Sequence, residues 1–102
     1  MGTSLDDLRS FPETARREAG HQLDRVQQGL EPDDWKPMPG IGPGVREVRV
    51  RDQAGAFRVI YTAIRPEAVY VLHAFQKKTR QTGKRDLDLA AARLRGLMRS
   101  VP

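Results

Sequence analysis

Apolar and polar positions follow two different periods along the chain, and each period predicts a different kind of element. Residues 12–28 carry apolar side chains at intervals of three and four, at Ala15, Ala19, Leu23 and Val26. This spacing predicts an amphipathic helix that begins with Pro12 and ends before Gly29 as its C-cap. A shorter helix is expected ahead of it, from Ser4 as N-cap to about Ser10.

From residue 45 the period changes to two, which is typical of β-strands. "VREVRVR" (45–51) alternates valines with charged residues, and the turn "DQAG" leads into a return strand, "AFRVIYTAI" (56–64). The next run, "AVYVLHAF" (68–75), is apolar on both faces. That composition is expected of a central strand that is covered on both sides. The three runs predict an antiparallel meander.

The segments around the strands complete the predicted architecture. Residues 31–44, "EPDDWKPMPGIGPG", hold four prolines and three glycines, so they are predicted to be a connecting loop. Thr82 is expected to cap a last helix, whose apolar stripe consists of Leu87, Ala91, Leu94 and Met98. We therefore expect a single α+β domain over residues 1–102, with two N-terminal helices packed on a small antiparallel sheet and a C-terminal helix.

Composition narrows the class of protein. Of the 102 residues, 30% are charged and 38% hydrophobic, which suits a globular domain rather than a disordered tail. The chain has no cysteine, so disulfides and thiolate metal sites are excluded. No apolar run approaches the roughly 18 residues of a membrane span, and there is no signal-peptide pattern. We expect a cytoplasmic protein without metal, cofactor or membrane contact.

The charge is unevenly distributed along the chain. The net charge is +5, but residues 1–35 hold eight acids against four bases, and residues 36–102 hold fourteen bases against five acids. A basic half favours a polyanion such as nucleic acid, because neutralised phosphates release their counterions. A solvated basic surface with no partner is the alternative, and composition alone does not separate the two.

The strand pattern brings several cations toward one sheet face. Arg49 and Arg51 share a face of the first predicted strand, Arg58 lies on its neighbour, and the third strand ends at Lys77 and Lys78. Like charges in one place are unfavourable unless an anion joins them, and arginine suits a phosphate through its bidentate fork. Alternatively, the arginines pair with acids of their own strand on a solvated face.

The stretch "HAFQKKTRQTGKR" (73–85) continues the basic surface without an acid. Its later cations, Arg80, Lys84 and Arg85, lead into the first turn of the last predicted helix. A cationic loop that leads to a helix N-terminus is typical of an anion-binding site. A flexible loop kept soluble by lysines is the alternative. His73 starts the stretch, and two roles stay open for it: a hydrogen-bonded core histidine, or a general base at a nucleic-acid site.

The chain resembles a known family in several of its motifs. "LRSFP", "VREVRV", "FRVIY", "VLHAFQKKT" and a final helix with "AAARL" follow in this order. Together they resemble the phage-derived Gp49-like branch of the RelE/ParE toxin superfamily, close to the HigB-type toxins. The resemblance covers nearly the whole chain. It implies a toxin of a type II toxin–antitoxin system that cleaves messenger RNA on the ribosome without a metal or cofactor.

The resemblance also implies roles for individual residues. Arg58 in "FRVIY" matches the superfamily arginine that holds the scissile phosphate. Lys77 and Lys78 in "FQKKT" match the basic position that stabilises charge on the transition state and leaving group, and Arg49 in "REVRV" fits a shared basic pattern that Arg51 extends. The expected reaction is attack of a ribose 2′-hydroxyl on the adjacent phosphate, which gives a 2′,3′-cyclic phosphate.

The implied partners are the ribosome, messenger RNA and a helix-turn-helix antitoxin of the HigA type, in a hetero-oligomeric toxin–antitoxin complex. The chain departs from the family pattern in two ways. Relatives usually place a β-strand before the first helix, so we expect either a sheet that is a strand short or a truncated chain. The C-terminal stretch "LAAARLRGLMRSVP" offers no tyrosine or histidine as acid or base. A gyrase poison, a non-catalytic RNA- or protein-binding module and an inactive toxin remain as alternatives.

Overall fold

A computed structural model of the protein describes residues 2–65, 68–77 and 83–100. These residues form three helices and one four-stranded sheet, which confirms the expected α+β class. The element order along the chain is α1 (Gly2–Arg9), α2 (Glu13–Gln27), β1 (Trp35–Pro37), β2 (Val45–Asp52), β3 (Gly55–Arg65), β4 (Ala68–Gln76) and α3 (Lys84–Ser100).

The sheet is antiparallel throughout, with the spatial order β1-β2-β3-β4. Strand β1 lies within the segment that was predicted to be only a loop, and its Trp35 pairs with Val48 of β2. The prediction missed this strand because three residues that end in a proline carry no periodic signal. Proline is tolerated at this position because β1 is an edge strand. Within the described residues no strand precedes α1, so the expected departure from the family pattern stays, and β1 is an additional edge strand beside β2.

Strand β3, rather than β4, is the apolar strand in the interior of the sheet. Val59, Ile60 and Tyr61 of β3 are fully buried, because β2 and β4 flank the strand and both of its faces are covered. The prediction placed β4 in this position because its residues are apolar on both faces. In the structure β4 lies at the edge of the sheet, and it is nevertheless covered because α1 and α3 both pack against it.

Two apolar clusters lie on opposite faces of the sheet. The first joins α2 to the sheet and contains Ala15, Ala19, Val26, Val48, Val50, Phe57, Val59, Tyr61 and Ala74, together with Phe11. The second contains Val45, Ile60, Leu72 and Ala90, with Met38, Ile41, Phe75, Leu94 and Leu97 packed against it. The sheet is therefore covered on one face by α2 and on the other by α3 and the segment after β1.

Helix α2 is fixed to the following chain by a polar side chain within its buried face. Gln22 is buried beside Ala19 and Val26, whereas Leu23 is only partly buried. The Gln22 amide donates to the Asp33 carboxylate at 2.9 Å and accepts from the Asp33 backbone N–H at 2.8 Å. Both polar ends of the Gln22 amide are thus satisfied, which makes its burial tolerable.

Two predicted helix features differ from the structure. Helix α1 already includes Gly2, so Ser4 lies inside the helix instead of capping it. On α3 the side chain of Met98 is 56% exposed, and the face that meets the sheet contains Ala90, Leu94 and Leu97. The predicted stripe was displaced by about one position around the helix. Thr82, the expected cap of α3, lies outside the described residues.

No helix in the described part of the chain is both long enough and apolar enough to span a membrane.

The segment after β1 approaches α3 closely at Gly42. A Cβ atom at this position would lie 2.6 Å from Cδ2 of Leu94, which is much shorter than a van der Waals contact. Glycine therefore allows this segment to lie against the helix. No heavy atom lies within 4 Å of a Cβ atom built at Gly40, two residues earlier.

We predict that Gly42→Ala lowers the free energy of unfolding by about 1–3 kcal/mol through overpacking. Gly40→Ala is the matched control and should be neutral or slightly stabilising. Denaturant unfolding of the two variants measures the difference. Leu94→Ala in the Gly42→Ala background should recover part of the loss relative to the sum of the two single changes. Equal stability of the Gly40 and Gly42 variants would show that this close approach is absent.

Candidate functional site

Four of the predicted cationic residues meet on one face of the sheet. Arg49 of β2 lies directly opposite Arg58 of β3, and paired residues in an antiparallel sheet project from the same face. Arg51 follows two positions after Arg49 and so shares that face. Lys77 follows β4, and its backbone N–H donates to the Ala56 carbonyl at 2.7 Å, which fixes this end of β4 beside β3.

Glu47 is the acidic centre of this group of cations. Its side chain is completely buried, and Oε1 lies 2.8 Å from Nη1 of Arg58. The same oxygen is 3.9 Å from Nε of Arg49 and 4.0 Å from Nζ of Lys36. One buried carboxylate therefore attracts cations from β1, β2 and β3 at once. We call Lys36, Glu47, Arg49, Arg58 and Lys77 the Glu47 cluster.

Arg58 is held behind the surface of this cluster. Its side chain is only 2% exposed, whereas the side chain of Arg49 is about one-third exposed and also lies 3.6 Å from the Asp34 carboxylate. Arg51 is exposed and Lys77 partly so. An anion that approaches from solvent would thus meet Arg49, Arg51 and Lys77 first, and Arg58 would act from behind them.

The pKa of Lys77 reflects the concentration of positive charge around it. Its pKa is lowered from the usual 10.5, first by desolvation and then by the nearby charges of Arg58, Arg49 and Arg51, while Glu47 acts in the opposite direction. Each of these arginines disfavours the protonated ammonium. An anion bound among them would reverse this effect. The cluster is therefore suited to bind a phosphate or another small anionic group.

Sequence reasoning left two members of the cluster out of the site. Strand alternation placed Glu47 on the same face as Arg49, but that pattern alone did not distinguish a buried carboxylate from a solvated one. No pattern in the sequence indicated Lys36 as a site residue, because it lies in the segment that was predicted to be a loop. The pairing of β1 with β2 places Lys36 directly opposite Glu47.

Two further predicted cations lie at the start of α3. Lys84 and Arg85 are exposed in the first turn of α3, and Nζ of Lys84 lies 3.0 Å from the carboxylate of Asp88 in the next turn. Lys78 and Arg80 lie outside the described residues, so their roles stay predictions.

His73 is a hydrogen-bonded residue of the interior, one of the two roles left open by the sequence. It is 6% exposed. Its Nε2 lies 2.7 Å from Asp86 of α3, and its Nδ1 lies 3.4 Å from Asp7 of α1. Arg93 donates to the same Asp7 carboxylate at 2.9 Å and to the Leu72 carbonyl at 2.9 Å. This network joins α1 and α3 to β4. A role of His73 in binding RNA stays a prediction.

Within the described residues, no three histidine, aspartate or glutamate side chains are grouped as ligands of a metal ion. The arginines and lysines of the Glu47 cluster can bind an anion, stabilise negative charge and, at Lys77, hold a proton.

Comparison of the chain with protein-family models tests the family relationship that the motifs suggest. The family model described as phage-derived protein Gp49-like matches residues 6–95. The chain belongs to the Gp49-like family. This family is associated with toxin–antitoxin systems and with RelE-like toxins that are nucleases, and that context implies an antitoxin partner. A search of curated proteins found no match.

In this Gp49-like protein we predict that the Glu47–Arg58 pair stabilises the folded state. Glu47→Gln keeps the shape of the side chain but leaves Arg58 buried without its carboxylate, so the free energy of unfolding should fall by about 3–5 kcal/mol. Asp34→Asn also removes a carboxylate near an arginine of the cluster, but at a half-exposed position, and should change stability by less than about 1 kcal/mol. Denaturant unfolding of both variants tests this difference.

A double substitution separates the effect of the ion pair from the effect of packing. Replacing both partners, as Glu47→Leu with Arg58→Met, removes the charges together and should cost less than Glu47→Gln alone, because no buried charge remains unpaired. If Glu47→Gln is as harmless as Asp34→Asn, the pair does not hold this part of the sheet together.

We predict that Lys77 titrates below 10.5 and that anion binding weakens as its proton is lost. Below its lowered folded pKa, Lys77 is charged in both the folded and the unfolded chain, and the folded state bears the full penalty. This penalty disappears as the pH rises from the folded pKa to 10.5. NMR titration of the Lys77 side chain, with and without inorganic phosphate, measures the shift, and phosphate should raise the pKa.

Lys77→Gln should remove the corresponding pH dependence of phosphate binding, whereas the control Lys84→Gln should retain it. A Lys77 side chain that titrates at or above 10.5 would contradict this description of the cluster.

Proposed function

We propose that this protein is the toxin of a type II toxin–antitoxin system and an endoribonuclease that cleaves messenger RNA on the ribosome. The observation that carries the proposal is the Glu47 cluster, in which Arg49 and Lys77 reach the surface of one sheet face beside the exposed Arg51 and in front of the buried Arg58. A scissile RNA phosphate would bind to these surface cations. Membership of the Gp49-like family supports the toxin context.

The proposed reaction begins with the ribose 2′-hydroxyl, which attacks the adjacent phosphorus atom. The 2′-hydroxyl releases its proton to solvent, the bond from phosphorus to the 5′-oxygen breaks, and the 5′-oxygen takes up a proton from Lys77. The products are a 2′,3′-cyclic phosphate and a free 5′-hydroxyl. Arg49 and Lys77 would contact the non-bridging oxygens, where preorganised charge usually contributes most to catalysis. Arg51 would bind the RNA backbone beside them.

Arg58 acts in this proposal through its position behind the other cations. Its contact with Glu47 at 2.8 Å fixes the guanidinium in place, so the positive charge needs no rearrangement when the transition state forms. Lys77 has a further role at the leaving 5′-oxygen. A lowered pKa makes its proton easier to transfer to that oxygen.

The proposed partners follow from the charge of the cluster. The ribosome would present and orient the message, because phosphate contacts alone carry little sequence information. A helix-turn-helix antitoxin of the HigA type would form a hetero-oligomeric complex with the toxin. Acidic residues on the antitoxin surface that meets the cluster would speed its capture. These reactions belong to the cytoplasm, where ribosomes and messages meet.

We predict that Lys77→Met lowers single-turnover cleavage on translating ribosomes by roughly 10²- to 10³-fold, because it removes charge that acts mainly in the transition state. Its ribosome affinity should change little. Lys84→Met is the matched control, since this lysine is exposed and pairs with Asp88; it should affect only binding. Ribosome pelleting and cleavage by purified variants give the two quantities.

Two results would contradict the proposal. The first is intact message in a translating extract that contains the wild-type protein. The second is an equal loss of binding and of cleavage in the Lys77 and Lys84 variants, which would indicate an adhesive surface without chemistry. Inhibition of DNA supercoiling by purified gyrase, together with intact message, would favour the gyrase alternative.

A further inference from the structure

A groove separates the segment after β1 from the N-terminal half of α3. Its apolar lining includes Met38 and Ile41 on one side and Leu87 and Ala91 on the other, with Lys36 and Lys84 also on the lining. We call it the loop–α3 groove. Its volume is about 490 Å³, which lies within the usual range for a small-molecule or nucleotide site.

The groove is continuous with the Glu47 cluster through Lys36. This lysine lines the groove, and its Nζ lies 4.0 Å from the Glu47 carboxylate that also binds Arg58. A chain that places one phosphate at the cluster can therefore place its next residue in the groove. The two lysines of the lining favour an occupant that carries negative charge outside the apolar part.

A nucleoside of an RNA chain has this combination of properties. Its base is flat and largely apolar on both faces, and its flanking phosphates are anionic. Asp88 also lines the groove, and Lys84 holds its carboxylate at 3.0 Å. A carboxylate at this place can accept a hydrogen bond from an amino group of a base.

We propose that the loop–α3 groove binds the base of a nucleotide next to the scissile phosphate. This inference rests on the proposed function, and it adds a site for base selection to a cluster that recognises only phosphate. Substrates with different bases at this position would then bind with different affinities.

The test uses short RNA oligonucleotides with 2′-O-methyl groups, which cannot be cleaved because the attacking hydroxyl is blocked. Each is compared with oligonucleotides of the same charge in which one residue at a time is abasic. Binding to the wild-type protein is measured at low salt, where phosphate contacts are strongest, through the fluorescence anisotropy of a dye attached to the RNA. Removal of one particular base should weaken binding to the wild-type protein roughly tenfold.

Two neighbouring alanines of α3 provide matched variants. Ala91→Phe fills the groove and should abolish the difference between the intact and the abasic RNA. Ala92→Phe introduces the same side chain at an exposed position and should preserve the difference. Thermal unfolding of both variants shows whether they are folded.

Equal affinity of the wild-type protein for all abasic and intact oligonucleotides, or no binding at all, would overturn the proposal and favour a protein segment as the occupant of the groove. Retention of the difference in a folded Ala91→Phe variant would overturn it as well. The assay contains no ribosome and requires no cleavage. Base-dependent binding without activity would therefore reject the proposed function alone, and cleavage with base-independent binding would reject the groove alone.

Discussion

The buried ion pair between Glu47 and Arg58 is the interaction on which the rest of the candidate site depends. Removing two charges from water costs several kcal/mol for each ion, and only close geometry with further polar contacts offsets this cost. The pair meets this condition at 2.8 Å, and Arg49 and Lys36 lie within 4.0 Å of the same carboxylate. A carboxylate surrounded in this way holds cations that would otherwise repel one another. The stability of the sheet and the charge of the site therefore depend on the same atoms.

The two faces of the sheet differ in polarity and in role. The face toward α2 is apolar and closed by Ala15, Ala19 and Val26. The opposite face is apolar only at one end, where α3 covers Val45 and Ile60, and it becomes charged at Glu47, Arg49 and Arg58. Strand β3 contributes Ile60 to the apolar end and Arg58 to the charged end. The packing of the core therefore also fixes the position of the Arg58 backbone. This arrangement agrees with the principle that charge must be placed before the reaction if it is to stabilise a transition state.

Alternation along β2 and β3 was sufficient to predict these strands, their antiparallel pairing and the common face of Arg49, Arg51 and Arg58. The sequence did not reveal β1 or the role of Lys36, because three residues within a proline-rich segment gain their strand geometry only by pairing with β2. It also did not reveal that Arg58 is buried, since burial depends on the neighbouring strands and on Glu47 rather than on local pattern. Similarly, the apolar β4 is covered by α1 and α3, so hydrophobicity on both faces did not distinguish an edge strand from a central one.

The most direct test of this account is a crystal structure of the protein with a dinucleotide that lacks the attacking 2′-hydroxyl. We expect the phosphate within hydrogen-bond distance of Arg49 and Lys77, and we expect Glu47 still paired with Arg58 behind it. A phosphate bound elsewhere on the surface, or one that displaces Glu47 from Arg58, would contradict the claim that this buried pair organises the site.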